Sequence, residues 1–503
     1  MGMSDSAEID LLVVGGGING AGIARDAAGR GLKVLLCEKD DLGAATSSAS
    51  SKLIHGGLRY LEQFEFRLVA EALAEREVLL RNAPHIVRPM QFVMPHMPQL
   101  RPAWMIRAGL FLYDYLARRH ALPSSRGVSL RAAPYGAGLR PGLNKGFIYS
   151  DCRVDDARLV MLNARAAADL GASILTRTAC VAAHRAGGQW HATLRRADAA
   201  EMRVAAKVLV NASGPWARNF LVDILNQPTA FSLKLVKGSH IVVPRLYEGE
   251  HAFILQNNDR RVVFAYPYEQ RYTLIGTTEI ELRGEPAPCH ASAEEIRYLC
   301  RAANRYFLRQ ITENEVVWSY CGIRSLFDDG SADPSAVTRD YVLHVDGDGG
   351  AAPVLSVFGG KITTYRRLAE RALEKLAPWL PQMRSDWTAA VPLPGGDLGE
   401  SSPEQFAGSR LKRDFPWLSE EMRLALARRH GTAAYLVLGD VTTPADLGEF
   451  FGAGLYAREV DHMMAREWAR TANDLLWRRT KCGLHMTAAQ ARSVERYVMQ
   501  RTP

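Results

Sequence analysis

An α/β fold with a separate antiparallel sheet and a helical C-terminal segment follows from three features of this 503-residue sequence. The first is the stretch from Ile9 to Glu38, which has the pattern of a strand–helix–strand unit. The second lies between Leu233 and Ile280, where short β-rich runs (Ile241–Val243, Val262–Phe264, Tyr272–Ile275) suggest an antiparallel sheet suited to holding a substrate. The third is helical apolar spacing at Val460, Met463, Met464, Trp468, Leu475 and Leu476, beyond a Pro/Gly/Ser linker at 392–402.

In the first stretch, Ile9, Leu11, Leu12, Val13 and Val14 read as a strand buried on both faces. Glycines follow in a G-x-G-x-x-G pattern at Gly15, Gly17 and Gly20, then a good helix former, then Val34–Cys37 and Glu38. Gly15 makes the tight turn, Gly17 admits a pyrophosphate to the backbone, and Gly20 lets helix and strand pack closely. The phosphates belong at the helix N-terminus, where free N–H groups and the positive dipole end meet them. Glu38 stands where an acid accepts hydrogen bonds from a ribose diol. It would repel a 2′-phosphate, so NAD or FAD is favoured over NADP. Glycines also make ordinary loops, but strand, glycines, helix, strand and acid in this order point to a Rossmann-like dinucleotide site.

A composition of 47% hydrophobic and 23% charged residues excludes a disordered or fibrous chain. The net charge of +8 suits an anionic ligand, an anionic membrane or nucleic acid, without choosing among them. The aromatic and basic residues form no nucleic-acid-binding motif, so no nucleic-acid partner is expected. The 7 cysteines are scattered without a C-x-x-C, which favours reduced thiols over disulfides or zinc, and no metal is expected. No basic-then-apolar signal segment opens the chain. Met1-Gly2 with Ser6 fits a myristoylation pattern loosely, and coincidence is the simpler reading. No apolar run reaches the roughly 20 residues of a membrane span; the longest, Trp104–Leu116, is broken by Arg107 and Asp114.

Leu42–Ser51, small and polar, is placed to make a second backbone contact with the cofactor. Helices are expected over Phe64–Asn82, which Pro84 stops, over Arg101–His120, rich in aromatics and cations, and over Arg158–Leu170. Ala121–Lys145 reads as loop, and Ser173–Leu175 and Val204–Val210 as strands, the latter running into Asn211–Trp216. Val354–Phe358 is a buried strand leading through Gly359-Gly360-Lys361 into a helix over Ile362–Leu376, a second glycine-then-helix contact. There are no internal repeats.

Several stretches together carry a family resemblance: Gly15–Gly22, Thr46–Tyr60, Asp151–Arg158, Lys237–Pro244, Gly276–Glu279, Thr338–Tyr341, Phe358–Tyr365 and Asp474–Lys481. Through them the whole chain resembles the FAD-dependent, respiratory glycerol-3-phosphate dehydrogenases of the D-amino-acid-oxidase-like flavoprotein fold. One element departs from the family pattern: Gly322-Ile323-Arg324-Ser325-Leu326 has serine where the family has proline. The expected division is a discontinuous FAD-binding domain (1–75, 150–230 and 320–391), a substrate domain (76–149 and 231–319) and a C-terminal helical domain (392–503).

The resemblance implies FAD as cofactor and removal of a hydride from C2 of glycerol 3-phosphate. It places Gly15, Gly17, Asn19, Gly20, Glu38, Thr46, Ser47, Lys52, Leu53, His55 and Gly56 at the cofactor, with Ser213, Gly214, Gly359, Gly360 and Thr363. His240, Arg324 and Lys361 are expected to be catalytic, His240 as the base with His55 as runner-up. Arg59, Tyr60, Thr277 and Arg339 are expected around the substrate, Arg324 and Arg339 as guanidinium forks for its phosphate. A quinone is expected to reoxidise the flavin; the alternatives are an oxidase that passes electrons to O₂, or a binding protein that holds FAD without turnover. A quinone lives in lipid, so the protein is expected at the cytoplasmic face of a membrane without spanning it. Arg101–His120 is the proposed contact with anionic head groups, the alternative being an internal helix or a contact through the helical tail. Oligomeric state is left open, a homodimer among the options.

Overall fold

The computed structural model describes residues 8–502, apart from 98, 100, 101, 118–121, 230, 231, 260, 329–339, 348 and 349. The Glu8–Val14 strand lies inside an eight-stranded sheet, pairing in parallel with Val34–Cys37 on one side and Glu201–Asn211 on the other. Ser173–Leu175 and Val354–Phe358 extend the parallel run, and Val342–Asp346 closes one edge antiparallel. The Ile18–Gly29 helix packs on the Asp156–Asp169 and Tyr365–Leu376 helices over this sheet. Apolar side chains on both sides of the central strand explain its unbroken Leu-Leu-Val-Val: Leu11 and Val13 enter one buried cluster, Leu12 and Val14 another.

A second, ten-stranded sheet is built largely from the Leu233–Ile280 region with Val87–Pro95 and Lys145–Val154. Its longest pairing joins Ser232–Pro244 to Trp318–Asp328 antiparallel, with His240 opposite Tyr320 and Val236 opposite Arg324. The Phe66–Asn82 and Ala103–Tyr115 helices lie over one face. Asp151 ties them to the sheet, accepting hydrogen bonds from Arg76 (2.7 Å) and the Tyr113 hydroxyl (2.7 Å). Beyond residue 402 the chain is mostly short helices, from Pro403–Phe406 to Ala488–Met499.

Three expectations need correction. Arg126–Ser129, within the stretch read as loop, is an edge strand on Lys145–Val154, because its alternation is short and flanked by turn residues. The expected Arg101–His120 helix is Ala103–Tyr115, with Arg101, Arg118, Arg119 and His120 outside the described residues, as is Met1–Ala7. The cysteines are not all reduced: Cys289 and Cys321 form a disulfide, while the other five are buried and free. Strand pairing sets Cys321 opposite Ser239, and the loop after Leu282 returns to it, a proximity that spacing in sequence does not reveal.

The helical segment is fastened to the first sheet by charge. Asp41 accepts from Arg478 (2.6 Å) and from both ends of the Arg479 fork (2.5 and 2.8 Å), with Asp41 and Arg479 fully buried. Removing one partner of such a cluster strands the others in low dielectric, at about 3–5 kcal/mol. Asp41→Ala is therefore expected to melt at lower temperature and to be cleaved by protease within 387–500 under conditions where the wild type resists. Unchanged melting and digestion would show that the fastening lies elsewhere.

Candidate active site

The Glu8–Val14 strand delivers Gly15 to the floor of a large cavity, of about 1120 Å³. Gly15 has φ +112°, and a Cβ there would meet the Ala212 carbonyl oxygen at 2.5 Å; one on Gly20 would meet the Gly15 carbonyl oxygen at 1.9 Å. Helix and strand therefore touch backbone to backbone, and the helix N-terminus faces the cavity. Ser47 Oγ accepts from the Ile18 N–H (2.9 Å), and the Thr46 hydroxyl bonds the Ile323 carbonyl (2.7 Å), so the small polar stretch closes over the helix end. Glu38 accepts from Gly16 (2.6 Å) and Asp40 (2.9 Å), and burial raises its carboxyl pKa against those two N–H groups. Asn19 donates to the Gly359 carbonyl (3.2 Å), joining the two glycine turns, and its Oδ1 is buried with no hydrogen-bond partner. Ser213, Gly214, Gly359 and Gly360 complete this end, and Gly214 leaves open space beside it.

The rest of the cavity wall carries charges of both signs, with Glu62, Glu279 and Glu281 among its acids. Arg59, Arg324 and Lys361 line it with Tyr60, Thr277 and His55. Lys361 Nζ lies 3.7 Å from the centre of the Tyr60 ring. Arg324 is 3.6 Å from Glu279, half exposed, so its fork is open to a further anion. The Thr277 hydroxyl bonds the Thr278 carbonyl (3.0 Å). Burial, then Lys361, pulls the His55 pKa down to about 4, which leaves it neutral at ordinary pH.

The cavity also extends over the face of the second sheet. There its wall is Met94, Tyr149, Ile254, Val262 and Phe264, with Gln256.

His240 departs from expectation. It is 3% exposed and does not line the cavity. Its Nε2 is 3.0 Å from Ser51 Oγ, and Ser51 is the group that faces the cavity. Nδ1 is buried without a hydrogen-bond partner. Burial, Lys52 and Arg324 together lower the His240 pKa to about 3.

Four expected cofactor residues stand behind the cavity wall. Lys52 is buried and bridges Asp156 (2.8 Å) and the Ser48 carbonyl (2.8 Å), stiffening the serine-rich turn. Leu53 packs in the core of the second sheet, where it pairs with Arg153. Gly56 donates to the Tyr113 hydroxyl (2.8 Å), and Thr363 Oγ1 accepts from His55 N (3.3 Å). Gly20 acts by packing, and Arg339 lies outside the described residues. Ser51 and Glu279 line the cavity without having been expected there: Ser51 is the last serine of the run already placed at the cofactor, and Glu279 ends the Gly276–Glu279 stretch that carries the resemblance. Elsewhere His430, His462 and Glu467 bring ligand atoms within 4.8 Å of one another. There Glu467 bonds Arg158 (2.5 Å) and His430 bonds Glu459 (2.8 Å), which makes the cluster an ion-pair network between segments.

A glycine-floored trough beside Arg59, Arg324 and Lys361 is the site of a dinucleotide-dependent oxidoreductase. Residues 10–366 match the model of the FAD dependent oxidoreductase family, and residues 387–500 that of the C-terminal domain of alpha-glycerophosphate oxidase. The chain belongs to the FAD-dependent oxidoreductase family, and FAD is its cofactor. It is 53% identical to a glycerol-3-phosphate dehydrogenase of Pseudomonas aeruginosa, over 98% of this chain and 96% of that protein. It is 50% identical to the D-erythritol 1-phosphate dehydrogenase of Brucella abortus, over 97% of each. Among solved structures, the FAD complex of a glycerol-3-phosphate dehydrogenase from Bacillus halodurans superposes with a TM-score of 0.73 at 26% identity, covering 98% of this chain and 94% of that one.

Buried neutral histidines make stability depend on acid. His240 and His85 have pKa values lowered to about 3, both chiefly by burial, against about 6.5 in an unfolded chain. The unfolded state binds the extra protons first, so their contribution is complete above pH 6.5 and declines as pH falls toward 3. Each is expected to cost about 1.4 kcal/mol per pH unit below 6.5. Melting temperature should fall steeply between pH 6.5 and 5, and His85→Asn should flatten that slope. A slope that His85→Asn leaves unchanged would deny His85 this role.

Proposed function

We propose that this chain oxidises sn-glycerol 3-phosphate to dihydroxyacetone phosphate. The observation that carries the reading is the grouping of Arg59, Arg324 and Lys361 with His55, half-buried in the same wall, and the buried His240 behind it, both neutral, beside a dinucleotide trough. The names of the full-length relatives support the same substrate class. Arg324 and Arg59 are suited to a phosphate, since guanidinium forks bind its oxygens in pairs. Arg339 is proposed to join them on the strength of the family resemblance alone. Bound FAD supplies the hydride acceptor.

The protein's part is to hold the substrate and to take the C2 hydroxyl proton. Ser51 stands between the cavity and His240, so the proton can pass from the substrate hydroxyl to Ser51 Oγ as Ser51 gives its own to His240 Nε2. In the free protein Arg324 and Lys361 are among the groups that depress His240 and His55. A bound phosphate neutralises those cations, so substrate binding raises the basicity of the groups that must accept the proton. His55, which faces the cavity directly, is given the lesser role of orienting substrate and ring.

Anaerobic stopped-flow reduction of the flavin tests the assignment. His240→Ala is expected to slow it roughly 10²–10⁴-fold, with Ser51→Ala closely similar and substrate affinity little changed. Wild-type speed in His240→Ala with a large loss in His55→Ala would transfer the proton to His55. A second substrate enters through the D-erythritol 1-phosphate relative, one carbon longer. Faster reduction by that compound than by glycerol 3-phosphate would change the substrate and leave the chemistry intact.

The electrons are proposed to pass to a quinone at a membrane surface on the cytoplasmic side. An apolar arm of the cavity, walled by Met94, Tyr149, Ile254, Val262 and Phe264, suits a quinone ring. The Ala103–Tyr115 helix turns Ile106, Leu110 and Tyr113 inward and leaves Trp104 (71%), Phe111 (56%) and Tyr115 (69%) exposed. Exposed rings of this kind favour the interfacial region. Arg107 donates to Ser125 Oγ (2.7 Å), so the rings, more than this cation, carry the contact. No helix of the described residues is long and apolar enough to cross a membrane. Trp104→Ser with Phe111→Ser is expected to weaken sedimentation with anionic vesicles by about tenfold or more, while activity with a soluble dye is retained. Wild-type sedimentation in that variant would rule this helix out as the anchor.

A further inference from the structure

His240 faces Tyr320 across the ladder between Ser232–Pro244 and Trp318–Asp328, and Val242 faces Trp318. Alternate residues of a strand share a face, so Trp318, Tyr320, Gly322 and Arg324 form one row. Arg324 ends that row in the cavity. Toward the other end the rings touch in succession, two contacts stacked and the middle one tilted. His240 lies 4.8 Å from Tyr320 at 10°, Tyr320 lies 4.9 Å from Trp318 at 39°, and Trp318 lies 4.8 Å from Trp477 at 29°. Trp477 belongs to the Asp474–Arg479 helical turn of the C-terminal region, next to the arginines that bond Asp41. Its seat is tight, since a Cβ on Gly483 would come within 2.8 Å of the indole.

The imidazole is flanked by Gly276 on one neighbouring strand, where a Cβ would come within 2.0 Å of Cδ2, and by Tyr320 on the other. Its hydrogen bond is to Ser51, and Nδ1 has no partner. One bond leaves a ring free to swing about it, whereas a flat neighbour 4.8 Å away restricts the swing. Tyr320 is itself anchored by its hydroxyl on the Ser50 carbonyl (2.9 Å), and Tyr266 holds the Ser51 carbonyl (2.7 Å). We propose that Tyr320 is the positioning residue of His240, and that Trp477, through Trp318, holds Tyr320, so that docking of the C-terminal region aims the imidazole at Ser51. The proposal rests on the assignment of His240 and Ser51 to the proton transfer.

Loss of the stack has a signature in pH. The charged groups near His240 are Lys52, paired with Asp156 of the Asp156–Asp169 helix, and Arg324, paired with Glu279. The hydroxyls beside it are Ser51 and Tyr320, the one bonded to Nε2 and the other on the stacked ring. Opening the stack lets water reach the ring and removes the largest cause of its low proton affinity, which then moves back toward about 6.5. A protonated imidazole accepts no proton, so the variant should lose activity on the acid side where the wild type is flat.

The experiment is flavin reduction by glycerol 3-phosphate under anaerobic conditions between pH 5.5 and 8.5, on proteins shown to hold FAD. Tyr320→Leu is expected to be slower by roughly 10- to 100-fold and to acquire an acid limb near pH 6, with Tyr320→Phe within a few fold of wild type. Trp477→Ala should slow reduction without changing substrate affinity, and Trp477→Phe should restore it. Should Tyr320→Leu fail to retain FAD, the Trp477 pair decides. In a His240→Asn background Trp477→Ala should have no further effect. Equal slowing by Trp477→Ala in both backgrounds overturns the proposal, as does a wild-type rate with a flat profile in Tyr320→Leu while His240→Asn is slow. A wild-type rate in His240→Asn itself overturns the proton-transfer assignment first, and the positioning role with it.

Discussion

A methyl group on Gly20 would lie 1.9 Å from the Gly15 carbonyl oxygen, and one on Gly15 would lie 2.5 Å from the Ala212 carbonyl oxygen. Strand, helix and the end of the neighbouring parallel strand Glu201–Asn211 thus meet through bare backbone. That contact brings the Ile18–Gly29 helix N-terminus to the cavity and sets the level of its floor. Every other part of the trough is measured from it. Ser47 closes on Ile18, Glu38 holds Gly16, and Asn19 reaches across to Gly359. Side chains at Gly15 and Gly20 would push the helix away and move these groups with it.

The second constraint is electrostatic. The cavity wall carries Arg59, Arg324 and Lys361 with acids such as Glu279, while the buried Lys52 is satisfied by Asp156 behind it. Burial first, and the neighbouring cations after it, keep His240 and His55 neutral, and neutral is the form that accepts a proton. On the proposed proton transfer, a phosphate that neutralised Arg324 and Lys361 would link binding to basicity. The second sheet contributes the rigidity: His240, Tyr320 and Arg324 stand on two long strands paired over eleven positions, Ser232 to Val242.

Much of the fold was legible because its signals are local. Ile9–Val14, Val34–Cys37 and Val354–Phe358 are buried parallel strands, and their apolar runs need no partner to be recognised. The glycine pattern carried the cofactor in the same way. What could not be read came from contacts between distant residues. Lys52 sits in a motif at the cofactor, yet its partner Asp156 lies 104 residues on and draws it into the wall. Cys321 meets Cys289 only because a strand and a returning loop bring them together. His240 could be placed near the chemistry by resemblance, but that Ser51 stands between it and the cavity is a fact of packing. The Arg126–Ser129 strand was hidden for a similar reason, since four residues at a sheet edge show too little alternation to read.

If a polyol phosphate delivers its hydride to FAD held in the glycine-floored trough, anaerobic titration of the purified yellow protein with glycerol 3-phosphate should bleach the flavin fully, as followed by its absorbance, with dihydroxyacetone phosphate formed in equal amount. Binding of glycerol 3-phosphate with no bleaching, even at long times, would contradict it and leave a protein that holds FAD without using it on this substrate.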